Sequence, residues 1–282
     1  LLGLLEALLN KQKYSAVGRR YLGAATLSLY LSVCGLIAFS IVWISFKIPF
    51  GIVILVLVAS TLLAQRSLHD HVLAVAHALE NGGVEEARIA VSMIVGRETK
   101  DLDEAAISRA AIESLAENFS DGVVAPLFWL AAFGLPGGVL YKAANTADSM
   151  IGHKNERYAA FGWAAARFDD LVNLPCSRLA ALWLVLAALI EPGASASSAI
   201  RAVSRDARQH RSPNAGWPEA AMAGALGVRL SGPRSYGGVE TPEPWLNEGA
   251  RDPDAADLMR GLRLYRRAIM LLGLGLMAAL AL

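Results

Sequence analysis

The stretch YLGAATLSLYLSVCGLIAFSIVWISF, residues 21–46, decides the fold class because it contains no charged side chain. As a helix, it is long enough to cross the ~30 Å hydrocarbon core of a bilayer. A second charge-free run, residues 48–64, follows a tight turn at Lys47, Pro49 and Gly51. A buried helical hairpin is the alternative, but two adjacent charge-free runs of this length favour a membrane hairpin.

The composition points in the same direction. Of the 282 residues, 55% are hydrophobic and only 18% are charged, whereas soluble domains have about 25% charged residues. The net charge of +1 excludes a broad nucleic-acid-binding surface. Cys34 and Cys176 lie in or beside apolar segments without metal-ligand spacing, so we interpret both as small apolar residues. We therefore expect an all-α, polytopic integral membrane protein with long cytoplasmic loops.

Three later apolar segments are less regular. Residues 123–141 are interrupted by prolines and glycines, namely Pro126, Gly134, Pro136, Gly137 and Gly138. Residues 171–190 are interrupted by Asn173, Pro175 and Arg178, and residues 268–282 form a short closing span. Broken apolar helices are tolerated at membrane depth where they line a protein-enclosed cavity. We expect at least one of these segments to be re-entrant or interfacial. We interpret the whole chain, 1–282, as one membrane-embedded catalytic domain whose motifs lie in residues 90–240.

Positive charges predict the orientation of the first hairpin. Lys11, Lys13, Arg19 and Arg20 precede it and Arg66 follows it, whereas the connecting turn carries only one lysine. The positive-inside rule then places the N-terminus and the chain after residue 66 in the cytoplasm. We expect a multi-pass protein of the cell (cytoplasmic) membrane whose active site faces the cytoplasm.

Acidic and amide side chains gather beside the apolar segments in three clusters. The first consists of Glu113, Glu117, Asn118 and Asp121, and its carboxylates are spaced by about one helical turn. A solvated acidic helix face is the alternative interpretation. Because the apolar run begins at Val123, and carboxylates at membrane depth are usually functional, we interpret this cluster as a Mg²⁺ site or a catalytic base.

The other two clusters flank the next apolar break. Asn145 and Asp148 are spaced for one helix face, although either residue could instead cap a helix. The third cluster consists of Arg167, Asp169, Asp170 and Asn173. Its alternative interpretation is an Arg–Asp ion pair at the end of a helix. Three clusters within a short stretch, all beside apolar breaks, favour a shared functional site.

An arginine-rich stretch supplies the cations that an anionic substrate needs. Its arginines recur every three to four residues and lead into a loop rich in Pro and Gly. An Arg fork binds phosphate through two parallel hydrogen bonds, although a basic helix face on the lipid headgroups explains the charge equally well. The tryptophan of the loop could stack on a planar ligand or anchor at the interface. The candidate residues are Arg205, Arg208, Arg211, Asn214 and Trp217.

Standard nucleotide-binding motifs are absent from the sequence. Neither GxxxxGK[ST] nor GxGxxG occurs, so ATP use does not follow from a known phosphate loop. His69, His71 and His77 could share a helix face in pairs, but no cysteine stands at ligand spacing and Asp70 is the only nearby acid. We therefore predict no zinc site.

A series of motifs runs in order from about residue 90 to 240. The series begins with VGRET (95–99), AIESLAEN (111–118), APLF (125–128), GLPG (134–137) and YKAANTADSM (141–150). It continues with FGW (161–163), ARFDD (166–170), RD (205–206), SPNAGWP (212–218) and YGG (236–238). Over this range the chain resembles the CobD/CbiB family, the adenosylcobinamide-phosphate synthases of cobalamin biosynthesis. Two departures are the absence of the family's N-terminal His-Pro segment and Glu98, where an Asp is expected.

The resemblance implies an ATP-dependent ligase. Such an enzyme joins the free propionate carboxyl of adenosylcobyric acid to 1-aminopropan-2-ol or its O-phosphate. It implies ATP as co-substrate and Mg²⁺ as cofactor, with the acid and amide clusters on the metal and the arginines on the transferred phosphoryl group. A carboxylate would take the ammonium proton of the amine, and Glu113, Glu117 and Asp121 all stay open as that base.

We assign the candidate residues to three roles. The catalytic residues are Glu113, Glu117, Asp121 and Asp170. The metal ligands are Glu117, Asp121, Asp148 and Asp169. The substrate-binding residues are Arg97, Asn118, Asn145, Arg167, Asn173, Arg205, Arg208, Arg211, Asn214 and Trp217.

Two other functions stay open at this point. A Mg²⁺-dependent membrane transferase of the prenyl or phosphatidyl type also uses Asp and Asn clusters, but its aspartate spacings differ from those here. A non-catalytic sensory relative of the family could lose Glu117, Asp121 or Asp170 without consequence, and all three are present.

Overall fold

The computed structural model describes residues 1–96, 98–236 and 239–281, and the side chains of these residues except 234–236, 239–241 and 280. Helices dominate: α1 (Leu2–Leu9), α2 (Ala16–Ser45), α3 (Gly51–Thr61), α4 (Gln65–His77), α5 (Gly83–Ser92), α6 (Glu104–Phe119), α7 (Ala125–Ile151), α8 (Trp163–Ala188), α9 (Ala196–Asp206), α10 (Gly216–Leu226) and α11 (Ala255–Leu280). Single π-helical turns span Ala78–Gly82 and Ser120–Val124, and a 3₁₀ turn spans Ala207–Gln209. Four short strands are β1 (Leu230–Ser231), β2 (Arg234–Tyr236), β3 (Val239–Thr241) and β4 (Trp245–Leu246).

Four helical segments are long and apolar enough to cross a membrane, judged by length and composition: Ala16–Ser45, Gly51–Ser92, Glu104–Ile151 and Trp163–Ala188. The most apolar window of Ala16–Ser45 is only 11% buried within the described residues. Exposed Leu36, Phe39 and Trp43 lie on this helix, as expected where lipid covers the side chains. These findings confirm the predicted fold class, an all-α membrane protein.

The first hairpin has the predicted turn. α2 begins at Ala16, before the predicted start at residue 21, because the Ser15 hydroxyl caps it by accepting a hydrogen bond of 3.1 Å from the Gly18 amide. α2 ends at Ser45 and α3 begins at Gly51. A Cβ at Gly51 would lie 1.8 Å from the Ser45 carbonyl oxygen, so the turn requires glycine at this close approach.

The two predicted broken segments behave differently. α7 has non-helical backbone at Phe133 and at Gly134, whose φ of 64° is the left-handed conformation that glycine adopts most easily. The break predicted within residues 123–141 therefore falls at Gly134. In contrast, α8 continues from Trp163 to Ala188 through Pro175, so proline does not interrupt residues 171–190 as the sequence suggested.

The contacts divide the chain into two compact units, and the first comprises Leu1–Leu63 and Asp121–Leu174. In this unit α2 packs along α7, and α1 and α3 pack against α2. An ion pair of 2.8 Å joins Arg157 to the buried Glu6 carboxylate of α1. The buried core of the unit contains Leu2, Leu27, Ala147, Ile151, Phe161 and Ala165.

The second unit comprises Ala64–Ser120 and Pro175–Leu282, so α8 contributes residues to both units. In this unit α6 contacts α4, α5, α10 and α11. The buried Tyr265 ring packs edge-on against Phe119 at 5.6 Å, and its hydroxyl donates to the Gln65 carbonyl. α9 packs closely on α10, where a Cβ at Gly224 would lie 2.5 Å from the Ser198 carbonyl oxygen.

α11 begins at Ala255, well before the predicted closing span of residues 268–282. Asp254 and Asp257 form a capping box, in which each side chain accepts a backbone hydrogen bond from the other residue. Arginines interrupt the apolar pattern in the first half of α11, so hydropathy alone did not identify this part of the helix. Within the predicted loop region, β1 pairs with β4 and β2 pairs with β3, both antiparallel.

Candidate functional site

An acid-amide cluster lies in the first unit, where α7 provides Asn145 and Asp148, and α8 provides Asp169, Asp170 and Asn173. The Asp169 carboxylate is only 8% exposed. It accepts hydrogen bonds from the Asn173 amide at 3.0 Å and, more weakly, from the Asn145 amide at 3.4 Å. The spacing of four residues between Asp169 and Asn173 puts both side chains on one face of α8. The structure thus brings together the second and third clusters predicted from the sequence.

Tyr141 connects this cluster to the π-helical turn before α7. Its buried hydroxyl lies 2.9 Å from Asn173 Oδ1 and 3.0 Å from the Asp121 carbonyl oxygen. A phenol has one proton, so it donates to one of these two acceptors at a time. Asn173 in turn donates to Asp169, and the resulting chain of hydrogen bonds fixes the orientation of the amide between Tyr141 and Asp169.

The electrostatics of the cluster are dominated by negative charge. Asp148 and Asp170 both lie close enough to Asp169 to repel its charged form. Arg167 Nη1 is 3.5 Å from Asp170 Oδ2, and this cation is largely exposed. Several carboxylates around one buried carboxylate favour the binding of a cation or a proton.

The donor chemistry of the cluster is compatible with Mg²⁺. Carboxylate and carboxamide oxygens are the donors that Mg²⁺ prefers, and it commonly takes only one or two carboxylates together with water and substrate phosphates. Among the described side chains, no group of three or more His, Cys, Asp or Glu could hold a metal ion. Asp148 and Asp169, two of the predicted ligands, are therefore the candidates for a partial Mg²⁺ site completed by a substrate.

The first predicted cluster is divided between the units. Glu113, Glu117 and Asn118 lie on α6 in the second unit, and Asp121 lies in the first. The Glu113 carboxylate is buried and accepts a hydrogen bond of 2.7 Å from the Ser231 amide. This contact ties β1 to α6. The catalytic roles predicted for Glu113, Glu117 and Asp121 stay predictions.

A cavity of about 370 Å³ in the second unit is lined by Asn118. The Asn118 amide donates to the Ser114 carbonyl and lies 3.2 Å from the Ser114 hydroxyl. Ser114, Ser67 and His71 complete the polar part of the lining. Ala64, Leu68 and residues 93–95 form the apolar part. The cavity has the size and mixed lining of a site for a small polar molecule.

Arg178 organises a second polar cluster, in the second unit. Its guanidinium carbon is 4.4 Å from the centroid of the Trp217 ring, and Nη1 donates to Asn214 Oδ1 at 3.0 Å. The same Asn214 oxygen accepts from the Ser177 hydroxyl at 3.1 Å. The predicted residues Asn214 and Trp217 thus lie together, around an arginine that the sequence analysis had noted only as an interruption of an apolar run. An arginine in an apolar helix is the signal that could have identified it.

The predicted anion-binding arginines have different partners. Arg205 donates two hydrogen bonds of 2.6 and 2.8 Å to the neighbouring Asp206, which also accepts from the backbone N–H of Asn247. Arg211 forms an ion pair of 3.1 Å with Glu243. Arg208 is exposed and lies within electrostatic range of Arg178. Arg97 lies outside the described residues.

Comparisons with known proteins agree with the motifs. The family model described as "CobD/Cbib protein" matches residues 1–265. A relative from Rhodobacter capsulatus, named "Cobalamin biosynthesis protein CobD", is 58% identical over 82% of this chain and 72% of its own length. A protein of the same name from Sinorhizobium sp is 50% identical over 89% of this chain and 78% of its own length. Another from Brucella suis is 53% identical over 82% of this chain and 71% of its own length.

No solved structure matches the chain. The family match covers nearly the whole sequence, and the identities to the curated relatives exceed what chance similarity gives over such lengths. The chain belongs to the CobD/CbiB family.

Proposed function

We propose that this chain is a membrane-bound, ATP-dependent ligase of cobalamin biosynthesis. It joins the free propionate carboxyl of adenosylcobyric acid to the amine of 1-aminopropan-2-ol or its O-phosphate. Support comes from the family and from the names of the relatives, which refer to cobalamin biosynthesis. The geometric observation that carries the proposal is the buried Asp169 carboxylate among acidic and amide neighbours.

The proposed chemistry has two steps. First, a carboxylate oxygen of the corrinoid attacks the γ-phosphorus of ATP, the bond to the β–γ bridging oxygen breaks, and ADP leaves. Second, the amine, after losing a proton, attacks the acyl carbon, the carbon–oxygen bond to the phosphoryl group breaks, and inorganic phosphate leaves. The balance is carboxylate, ammonium and ATP to amide, ADP, phosphate and a proton. Activation is needed because a carboxylate is a poor electrophile toward an amine.

The acid-amide cluster serves the phosphoryl end of this reaction. Asp148 and Asp169 would hold Mg²⁺, and Tyr141 and Asn173 keep the Asp169 carboxylate in one orientation. When bound, Mg²⁺ would neutralise phosphate oxygens and favour the transfer of the phosphoryl group. Arg167 partly balances the negative charge of Asp170. Its guanidinium is largely exposed, so it does not bury the Asp170 carboxylate.

The Arg178 cluster is proposed to bind a phosphate of ATP or of the amine substrate. Trp217 stacks on one face of the guanidinium and Asn214 accepts from its Nη1. A guanidinium held in one orientation is suited to bind a phosphate through its planar fork of donors. Exposed Arg208 adds a second cation. Arg205 and Arg211 are proposed to shape the loop, since each has a carboxylate partner.

The cavity lined by Asn118 is proposed as the amine site. Its volume of about 370 Å³ suits a three-carbon amino alcohol or its phosphate, whereas a corrin ring with its side chains is far larger. The Glu113 carboxylate accepts a hydrogen bond from the Ser231 backbone N–H. Glu113, Glu117 and Asp121 are all candidates for the base that takes the ammonium proton.

The localisation proposed is the cytoplasmic membrane, with the active site on the cytoplasmic side. ATP and both other substrates are then available without crossing the membrane. Support comes from the four apolar helices and from the arginines and lysines that flank the first hairpin.

The direct test is reconstitution. The purified full chain, in detergent or in liposomes, is supplied with adenosylcobyric acid, ATP, Mg²⁺ and either the free or the phosphorylated amine, and the amide product is measured by mass spectrometry. We expect product only when all components are present, and one ADP per amide. No amide with either amine would contradict the proposal. AMP and diphosphate in place of ADP and phosphate would contradict the proposed phosphoryl transfer, and corrinoid binding without turnover would indicate a sensory relative.

A further inference from the structure

A basic cavity of about 450 Å³ lies in the second unit, and none of the candidate site residues is among those that line it. It is lined by Glu191, Arg263, Arg266, Arg267 and Met270. Four of these residues are on α11 at positions i, i+3, i+4 and i+7, so they form one helix face. Glu191 follows the end of α8.

The charges of the cavity do not cancel. Glu191 is 7% exposed and accepts from Arg263 Nε at 3.0 Å and from Arg267 Nε at 3.4 Å. Within the described part of the chain, Arg266 has no hydrogen bond or ion pair, and its side chain is exposed. One buried carboxylate therefore orients two exposed guanidinium groups, and the third arginine is available for an anion.

The same helix face becomes apolar in the direction of the C-terminus. Met270, Leu274 and Met277 continue the helical spacing of the arginines, and all three side chains are exposed. On the α8 side, Leu189 and Ile190 are exposed immediately before Glu191. Exposed apolar side chains directly beside arginines are the arrangement of a membrane–water boundary.

We propose that this cavity binds the phosphate of an anionic phospholipid. The phosphodiester contacts Arg263, Arg266 and Arg267, and the acyl chains lie along Met270, Leu274 and Met277. A lipid fits better than a soluble phosphate compound because the basic cavity continues into an exposed apolar face. A soluble phosphate would leave that face uncovered. Basic pockets at the ends of membrane helices are suited to lipid headgroups.

The test uses the full chain in neutral detergent. Dioleoyl phosphatidylglycerol and dioleoyl phosphatidylcholine, which differ only in the headgroup, are titrated separately, and bound lipid is counted by native mass spectrometry. The variant is Arg266→Gln, which removes a cation without breaking a contact among the described residues. The matched control is Arg66→Gln, because Arg66 is also an exposed arginine beside an apolar helix but lies outside this cavity.

We expect Arg266→Gln to weaken phosphatidylglycerol binding about fivefold, which corresponds to about 1 kcal/mol for one arginine near anionic lipid. Arg66→Gln should bind like the wild type, and phosphatidylcholine should bind weakly to all three proteins. Equal phosphatidylglycerol binding by Arg266→Gln and wild type would overturn the proposal. Inorganic phosphate that bound in place of the lipid, and more weakly to Arg266→Gln than to the wild type, would also overturn the proposal. So would dissociation of a dimer by Arg266→Gln.

Discussion

The guanidinium of Arg178 lies against the ring of Trp217, with 4.4 Å between the guanidinium carbon and the ring centroid. Arg178 belongs to the apolar helix α8, and Trp217 lies in the first turn of α10, after the loop that contains Pro213. The contact, together with the hydrogen bond from Arg178 to Asn214, fixes the loop that carries Asn214. We therefore regard Arg178 as the residue that assembles the proposed anion site.

Replacing Arg178 by lysine should impair this site. An ammonium group reproduces neither the stacked plane nor the fork of donors, and the lost contacts are each worth about 1–2 kcal/mol. We expect Arg178→Lys to lower kcat/KM by about tenfold or more while the protein stays folded. Steady-state kinetics with ATP and the amine varied separately show which substrate is affected. Arg201→Lys, at an exposed arginine of α9, is the control, and an equal loss in both variants would argue against a specific role for Arg178.

Removing the charge of Asp169 should abolish most of the turnover. Asp169→Asn keeps the side-chain volume but removes the carboxylate that we propose for Mg²⁺, and such ligands stabilise the transition state by several kcal/mol. We expect kcat to fall by about a hundredfold or more, and Asp170→Asn to act in the same direction. Glu156→Gln, at an exposed carboxylate of the same unit, should be near normal. Normal turnover of Asp169→Asn at low Mg²⁺ would exclude Asp169 as a metal ligand.

The Asp252 ion pairs should make stability depend on pH in the acid range. The hydrogen bond from Arg229, followed by that from Arg109, lowers the pKa of Asp252 to about 2, below the value of about 3.9 in an unfolded chain. A lowered folded-state pKa means that the stabilisation is complete above about pH 4 and is lost as the pH falls through about 2. Because Asp252 is 36% exposed, we expect only about 1 kcal/mol from it.

Thermal unfolding of the wild type and of Asp252→Asn at several pH values measures this contribution. The difference between their midpoints should be constant above pH 5 and should shrink toward pH 2. A difference that instead grew on acidification would show that Asp252 does not stabilise the fold through its charge.

Cysteine labelling tests the proposed orientation. After Cys34 and Cys176 are replaced by alanine, Ser92→Cys reports on the end of α5 and Lys47→Cys reports on the turn between α2 and α3. The charge pattern predicts that an impermeant reagent added outside intact cells labels Lys47→Cys but not Ser92→Cys. The reverse pattern would place the motif-bearing region outside the cytoplasm.

The sequence predicted those parts of the fold that depend on local chemistry. The charge-free run of α2, the turn at Gly51 and the break at Gly134 all follow from hydropathy or backbone freedom. The continuation of α8 through Pro175 did not follow from the sequence, because proline lacks a backbone N–H and clashes with the preceding turn, so it usually interrupts a helix. The beginning of α11 was missed because its arginines, one of which pairs with Asp257, mask its helical pattern.

The candidate site was predictable to a similar extent. Asn145 and Asp169 belong to separate sequence clusters that the structure brings together, as expected for polar groups flanking one apolar break. Tyr141 begins one of the quoted motifs but was assigned no role, because a tyrosine in an apolar run gives no signal until its hydroxyl is seen between Asp121 and Asn173. The pairing of Arg205 with Asp206 could have been suspected from adjacency, whereas that of Arg211 with Glu243 depends on tertiary structure.

The most direct test of the central claim is the fate of the carboxyl oxygen. Adenosylcobyric acid labelled with ¹⁸O in its free carboxyl is incubated with the full chain, ATP, Mg²⁺ and the amine, and the products are analysed by mass spectrometry. Activation by ATP predicts that each amide formed retains one label and that the other appears in inorganic phosphate. Amide formation with unlabelled phosphate and unlabelled nucleotide would contradict the account, because the carboxyl would then have reacted without activation by ATP.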